Sequence, residues 1–357
     1  MKKTSVNRRG FLKATAVLSG GVLLGACAPS PAVPSASEQP TAAAAATPGE
    51  REQYVWIASL STLPLFLSHD YPSLKEEAQR LGVDISFAGP TTIDIESQNT
   101  ILEQWIAKKP AGILFMPFGE GHNAIIDKSI AEGVPLICID GDAKNTDRIA
   151  FVGTGWMDLG RTQARLMGEL LGGKGKVMLS AVIPNDNTVL AVGGYEEVIK
   201  NEYPGIEIIG TNNDKGDVTE AANLAAQTIQ ANPDIAGFSG IDAASGPGIA
   251  IAIREAGKVG QIKVTCVDDT PDILQAIEEG IINATVAQKR EAFETFALRT
   301  VYFYNHPGYS IGVKYAEAGF NMVPSLMYTG TTVITKDNLA QLAEVYEYVK
   351  EVGDKLK

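Results

Sequence analysis

From Tyr54 onward, short apolar runs alternate with amphipathic segments, and this alternation restricts the chain to very few folds. The runs "YVWIAS", "VDISF", "AGILFM" and "PLICI" are separated by longer stretches with apolar residues three and four apart. Runs this short have strand length, and the stretches between them have helix length. In the first stretch, "SHDYPSLKEEAQRLG", Leu74, Ala78 and Leu81 share one face. Gly82 can close that helix, and Ser73 with Glu76 reads as a capping box. Further helices are expected over "IESQNTILEQWIAKK" and "NAIIDKSIAEG". Strands joined through helices rather than tight turns lie parallel, and near-continuous apolar runs are strands covered on both faces.

"RIAFVGT" ends this series, and a second one starts. Helices are expected over "DLGRTQARLMGELLGG", in the region of "GGYEEVIKNEYPG", and over "TEAANLAAQTIQANP", "SGPGIAIAIREAG" and "PDILQAIEEG". The strands between and after them are "KVMLSAV", "IEIIG", "IAGFSG", "IKVTCV" and "NATVAQ". A long helix, "EAFETFALRTVYFYNH", then an irregular stretch, the strand "GTTVIT" and a final helix from Lys336 complete the chain. Two successive series of this kind make an α/β protein with two doubly wound parallel-sheet lobes. At 357 residues the chain is long enough to give each a core.

Open parallel sheets bind ligands beyond the carboxyl ends of their strands. The residues standing there are Ser59, Phe118, Asp140, Asp142, residues 185–187 including Asn187, Asp242 and Asp268, with Gln288 at the end of "NATVAQ". "PLICIDGD" and "VTCVDDTPD" echo one another, each an apolar strand that ends in acids. Carboxylates accept hydrogen bonds from hydroxyls, and a glutamine both donates and accepts. Together with the aromatic faces of Phe66, Phe118 and Trp156, they suit a neutral polyol. A helix cap or a turn is the alternative for each Asp taken singly. Of the second acid pair, Asp268 is expected to face the cleft and Asp269 to belong to the turn before Pro271.

Several functions are disfavoured. There is no HExxH or GxxxxGK[ST] pattern, and the three histidines, His69, His122 and His306, are scattered. Neither a nucleophile–base pair nor a metal site can be assembled, so no enzyme activity, metal or cofactor is expected. Cys138 and Cys266 sit inside apolar runs and read as buried free thiols. The N-terminus runs from basic "MKKTSVNRRGFLK" through apolar "ATAVLSGGVLLGA" to Cys27. That is the form of a secretory signal, here with a twin-arginine-like motif and a lipobox, "LLGAC", which would lipidate Cys27. Residues 28–52 are rich in Pro, Ala and Ser and read as a flexible tether. Removal of residues 1–26 would leave 25 basic against 42 acidic residues, a net charge of −17 that repels nucleic acid.

Residues 53–345 resemble the type I periplasmic sugar-binding proteins. "DDTPDILQAIEEGIINATVAQ" is similar to that family's D-G-T-P-D, helix and A-T-I-A-Q stretch, "VPLICIDGD" to its fourth strand, and "YVWIASLSTLPLF" to its first strand and loop. "FAGPTTIDIESQ" and "VITKDNL" look more like the branch that binds autoinducer-2 and rhamnose. The resemblance implies a Venus-flytrap fold with three crossover segments, near residues 152–156, 287–290 and 326–331. It divides the chain into residues 1–26 (signal), 27–52 (tether), 53–154 with 289–328 (first lobe) and 155–288 with 329–352 (second lobe). It implies that Asp140, Asp268 and Gln288 bind sugar hydroxyls, that Phe66 stacks and that Asp242 stands at a ligand-contacting position. Gly141 and Ala191 replace family arginines, and Leu65 replaces a stacking Phe. The implied protein is a monomeric, lipid-anchored, extracytoplasmic carrier that delivers a small sugar-like ligand to an ABC permease. Two alternatives stay open, a sensor that presents ligand to a chemoreceptor or kinase, and a binder of a cationic ligand such as an amino sugar or polyamine.

Overall fold

The computed structural model describes residues 51–63, 65–308 and 310–345, without the side chain of Ile311. The expected export signal, Cys27 and nearly all of the expected tether therefore lie outside the described residues.

The first series builds one sheet from β1 (Gln53–Ile57), β2 (Asp84–Ala88), β3 (Gly112–Phe115), β4 (Leu136–Ile139) and β5 (Phe151–Gly153). The helices between them are α1 (Tyr71–Leu81), α2 (Ile95–Lys108) and α3 (Asn123–Ala131). The second series gives α4 (Trp156–Leu171), β6 (Lys174–Ala181), α5 (Asp186–Glu202), β7 (Gly205–Asn213), α6 (Val218–Ala231), β8 (Ile235–Gly240), α7 (Ser245–Glu255), β9 (Lys263–Val267), α8 (Pro271–Glu278) and β10 (Ala284–Gln288). The chain ends in α9 (Arg290–Asn305), α10 (Ser310–Glu317), β11 (Leu326–Tyr328) and β12 (Thr331–Thr335).

The two sheets have the same plan, in the orders β11-β5-β4-β3-β1-β2 and β12-β10-β9-β8-β6-β7. Every pairing is parallel except β10 with β12. Strand alternation sends Tyr54, Trp56, Leu114, Ile137 and Val152 to one face of the first sheet, and Val55, Ile57, Ile113, Leu136 and Cys138 to the other. Both faces of the second sheet are covered in the same way. The chain passes between the sheets after β5, after β10 and between β11 and β12. After the second passage α9 packs Phe293, Ala297, Leu298 and Val301 onto the first sheet. Thr154 Oγ1 donates to Gln288 Oε1 at 2.8 Å and the Thr329 amide to the Gly153 carbonyl at 3.0 Å, which binds the three passages to one another.

The helix termini follow local chemistry in most places. Asp94, Asn185 and Asp217 cap α2, α5 and α6 with side-chain acceptors, and Gly82 and Gly172 close α1 and α4 in the left-handed conformation. The capping box at Ser73 does not form. A π-helical turn, Phe66–Asp70, runs directly into α1, so the helical path has already begun and Ser73 Oγ donates to the carbonyls of His69 and Asp70. The stretch read as irregular contains α10. No helix of the described residues is long and apolar enough to cross a membrane.

Candidate functional site

β4 and β9 are the third strands of two identically ordered sheets, and each is followed at once by an acid. Asp140 has φ +59° and Asp268 φ +68°. A left-handed backbone costs a residue with a side chain of order 1 kcal/mol, and Asp bears it better than most. The turn swings both carboxylates off the ends of their strands. Each strand also carries a buried free thiol two residues earlier, Cys138 and Cys266, both pushed up to about 12 by burial and so inert.

Asp268 is 3% exposed. Its Oδ1 accepts from Gln288 Nε2 at 2.9 Å, and its carbonyl accepts from Thr285 Oγ1 at 2.5 Å. Burial pushes its carboxyl up to about 6, against the opposing pull of Gln288 and of the Arg290 charge. Gln288 is held at both ends, since its oxygen accepts from Thr154. Asp140 Oδ2 accepts from Arg290 Nη1 at 3.1 Å, whereas its Oδ1 is buried and has no hydrogen-bond partner among the described residues. A buried oxygen acceptor without a donor is uncommon in folded proteins.

Arg290 opens α9 immediately after the second passage and is 2% exposed. Its Nε and Nη2 hold both oxygens of fully buried Asp70, at 2.8 and 2.7 Å. The guanidinium lies 4.8 Å from the Phe66 ring centre and 5.0 Å from that of Phe293. Trp56 meets Phe66 edge to face at 5.5 Å, so the ring of Phe66 supports the arginine and the core. Sequence reading missed Arg290 because it sought cations beside Asp140 and in α5. The available signal was the pair of basic residues, Lys289 and Arg290, that follows the strand ending in Gln288.

The remaining expected residues separate into those at the junction of the lobes and those tied up locally. Asn187 Nδ2, in the first turn of α5, donates across the lobes to the Asp140 carbonyl at 3.2 Å. Phe118 is half-buried beyond β3, and Ser59 Oγ is 3.4 Å from the sulfur of Met116. Asp142 gives both oxygens to Arg148, whose Nη1 donates to the Ser325 carbonyl. Asp242 accepts from the amides of Ala244 and Ser245 at the start of α7. Burial and the neighbouring Asp214 charge push its carboxyl up to about 7. Asp269 is more than a turn residue, since its Oδ1 lies 3.9 Å from Nε2 of His69 in the other lobe. His69 Nδ1 is also 2.5 Å from Glu291 Oε1. Burial alone would lower the imidazole, but Glu291 and Asp269 together hold it above its ordinary value. Trp156 opens α4, and its buried Nε1 has no hydrogen-bond partner among the described residues.

The arrangement is two half-sites, a carboxylate from each lobe, brought together beside the passages between lobes. The model of the periplasmic binding protein domain matches residues 55–304. The D-allose-binding periplasmic protein of Escherichia coli is 26% identical over 267 residues, covering 72% of this chain and 85% of that protein. A sugar-binding protein of a sugar ABC transporter from Bacillus halodurans superposes with a TM-score of 0.75 at 27% identity, over 81% of this chain and 99% of its own. An arabinose-binding protein from Geobacillus stearothermophilus gives 0.73 at 29% identity, over 82% and 99%. The chain belongs to the type I periplasmic sugar-binding protein family.

Proposed function

We propose that this protein is an extracytoplasmic solute-binding lipoprotein that captures a small neutral sugar or sugar-like polyol between its lobes and delivers it to an ABC importer. The observation that carries the reading is the pair of buried strand-end acids, Asp140 and Asp268, one from each lobe, with Asp140 Oδ1 left without a partner among the described residues. A ligand hydrogen-bonded to both acids gains those bonds only when the lobes meet. It therefore shifts the population toward the closed form by differential binding, with no covalent step. Gln288, Asn187, Phe118 and Trp156 complete the proposed lining. Relatives named for binding D-allose, D-apiose and xylitol support the ligand class. Cys27 carries the proposed lipid anchor, and Cys27→Ser should move the protein from the membrane fraction to the soluble one. Retention in the membrane would exclude the anchor.

One observation favours a second reading. Asp70, Asp140 and Asp268 surround the single guanidinium of Arg290, while burial and the charges of Asp70 and Asp140 raise the carboxyl of fully buried Glu294 well above its ordinary value. This surplus of carboxylate also suits a ligand that carries an ammonium group. A thermal-shift screen over pentoses, hexoses, deoxysugars, alditols, amino sugars and polyamines separates the two. Stabilisation by neutral polyols is the expected result, and stabilisation by cations alone would overturn the sugar reading.

A further inference from the structure

We propose that Arg290 is a specificity-determining residue, forming with Asp140 a donor–acceptor edge that selects ligands with two adjacent hydroxyls. This rests on the sugar reading above and assigns a role to a residue outside the expected set. No side chain can stand next to Asp140 at position 141, because a Cβ on Gly141 would lie 2.3 Å from the Pro117 carbonyl oxygen. A cation beside Asp140 must come from elsewhere in the fold, and α9 supplies it.

The hydrogen-bond inventory is incomplete on both sides of the pair. A guanidinium has five N–H groups, and those on Nε, Nη1 and Nη2 that reach Asp70 and Asp140 account for three. Nη1 and Nη2 each retain one. Asp140 retains Oδ1, buried and without a partner among the described residues. A carboxylate joined to a guanidinium thus offers an acceptor and a donor side by side. Adjacent hydroxyls match that pattern, one oxygen donating to Asp140 and its neighbour accepting from Arg290. A single hydroxyl leaves one side of the edge unmet, and an unmet buried polar group discriminates strongly between otherwise similar ligands.

The edge is rigid. Bidentate contact with fully buried Asp70 fixes the guanidinium plane, and Phe66 and Phe293 pack against it. Phe66 therefore contributes by holding Arg290.

The test uses isothermal titration with D-ribose, D-allose and xylitol, and with 2-deoxy-D-ribose and 3-deoxy-D-allose, which lose every adjacent pair that includes the 2-hydroxyl or the 3-hydroxyl respectively. Wild type should prefer the complete sugars over their deoxy counterparts by at least about 100-fold. Arg290→Lys keeps the charge opposite Asp70 but loses the planar fork, and should reduce that preference by at least about tenfold. Because Arg290 is buried, the double variant Arg290→Gln with Asp70→Asn provides a second arm that neutralises both members of the buried Arg290–Asp70 pair together. It should show the same loss of discrimination with a cooperative melt. A folded variant that keeps both the affinity and the preference of wild type would overturn the role of Arg290 while leaving the sugar reading intact. If wild type binds none of the complete sugars, the sugar reading fails and this proposal fails with it.

Discussion

Asp268→Ala should abolish ligand-induced thermal stabilisation while the ligand-free protein still melts cooperatively near its wild-type temperature. The carboxylate is buried, and burial has raised it to about 6, so the apo protein bears a desolvation cost that alanine removes. Two smaller costs oppose this gain. Alanine is strained at φ +68°, and Gln288 Nε2 loses its acceptor. These terms leave apo stability within about 2 kcal/mol of wild type. Binding has no such compensation. Charge-assisted hydrogen bonds contribute about 1.5–3 kcal/mol each, so losing those made by this carboxylate lowers affinity about 100-fold or more. The pH dependence has a definite sign. Hydroxyl donors favour the ionised acid, so affinity is full above about 6 and falls as pH drops through that value. Titration at pH 7.5 and 5 reads both effects, and unchanged affinity in Asp268→Ala would remove this residue from the site.

Gly160→Val should destabilise the second lobe by about 3 kcal/mol or more, beyond ordinary overpacking, because the obstacle is backbone. A Cβ at Gly160 would lie 1.9 Å from the Ala191 carbonyl oxygen, and one at Gly194 would lie 2.1 Å from the Met157 carbonyl oxygen. Helices α4 and α5 thus touch main chain to main chain at two points. No side chain exists there to move aside, so the helices themselves must separate. Their first turns carry Trp156 and Asn187, so spreading them also disturbs the junction of the lobes. Gly193→Ala is the control, since its Cβ meets nothing within 4 Å and alanine is the better helix former by about 1 kcal/mol. The pair of thermal melts should move in opposite directions. A Gly160→Val protein that melts with the wild type would show that the interhelical contact is not what holds this lobe.

The order of strands and helices was legible because it rests on local periodicity, which needs no knowledge of distant neighbours. The echo of "PLICIDGD" and "VTCVDDTPD" was legible for the same reason, as one strand ending used twice. The capping box at Ser73 failed for a reason outside its own sequence window, since the turn before α1 is already helical. Asp142 and Asp242 look like Asp140 and Asp268 in the sequence, yet Asp142 is tied to Arg148 and Asp242 to the first turn of α7. Proximity to a strand end identified all four acids equally, and partners sorted them.

The sequence by itself determined the α/β series, its division in two, and the acids and glutamine at the strand ends, because spacing and residue chemistry are local properties. Tertiary structure alone decided which of those groups keeps an unpartnered atom. Arg290 meets Asp70 across 220 positions of sequence and Asp140 across 150, and that meeting occupies one oxygen of Asp140 while leaving the other bare. Long-range pairing of charges depends on how two lobes and three passages pack, and no periodicity in a linear chain records it.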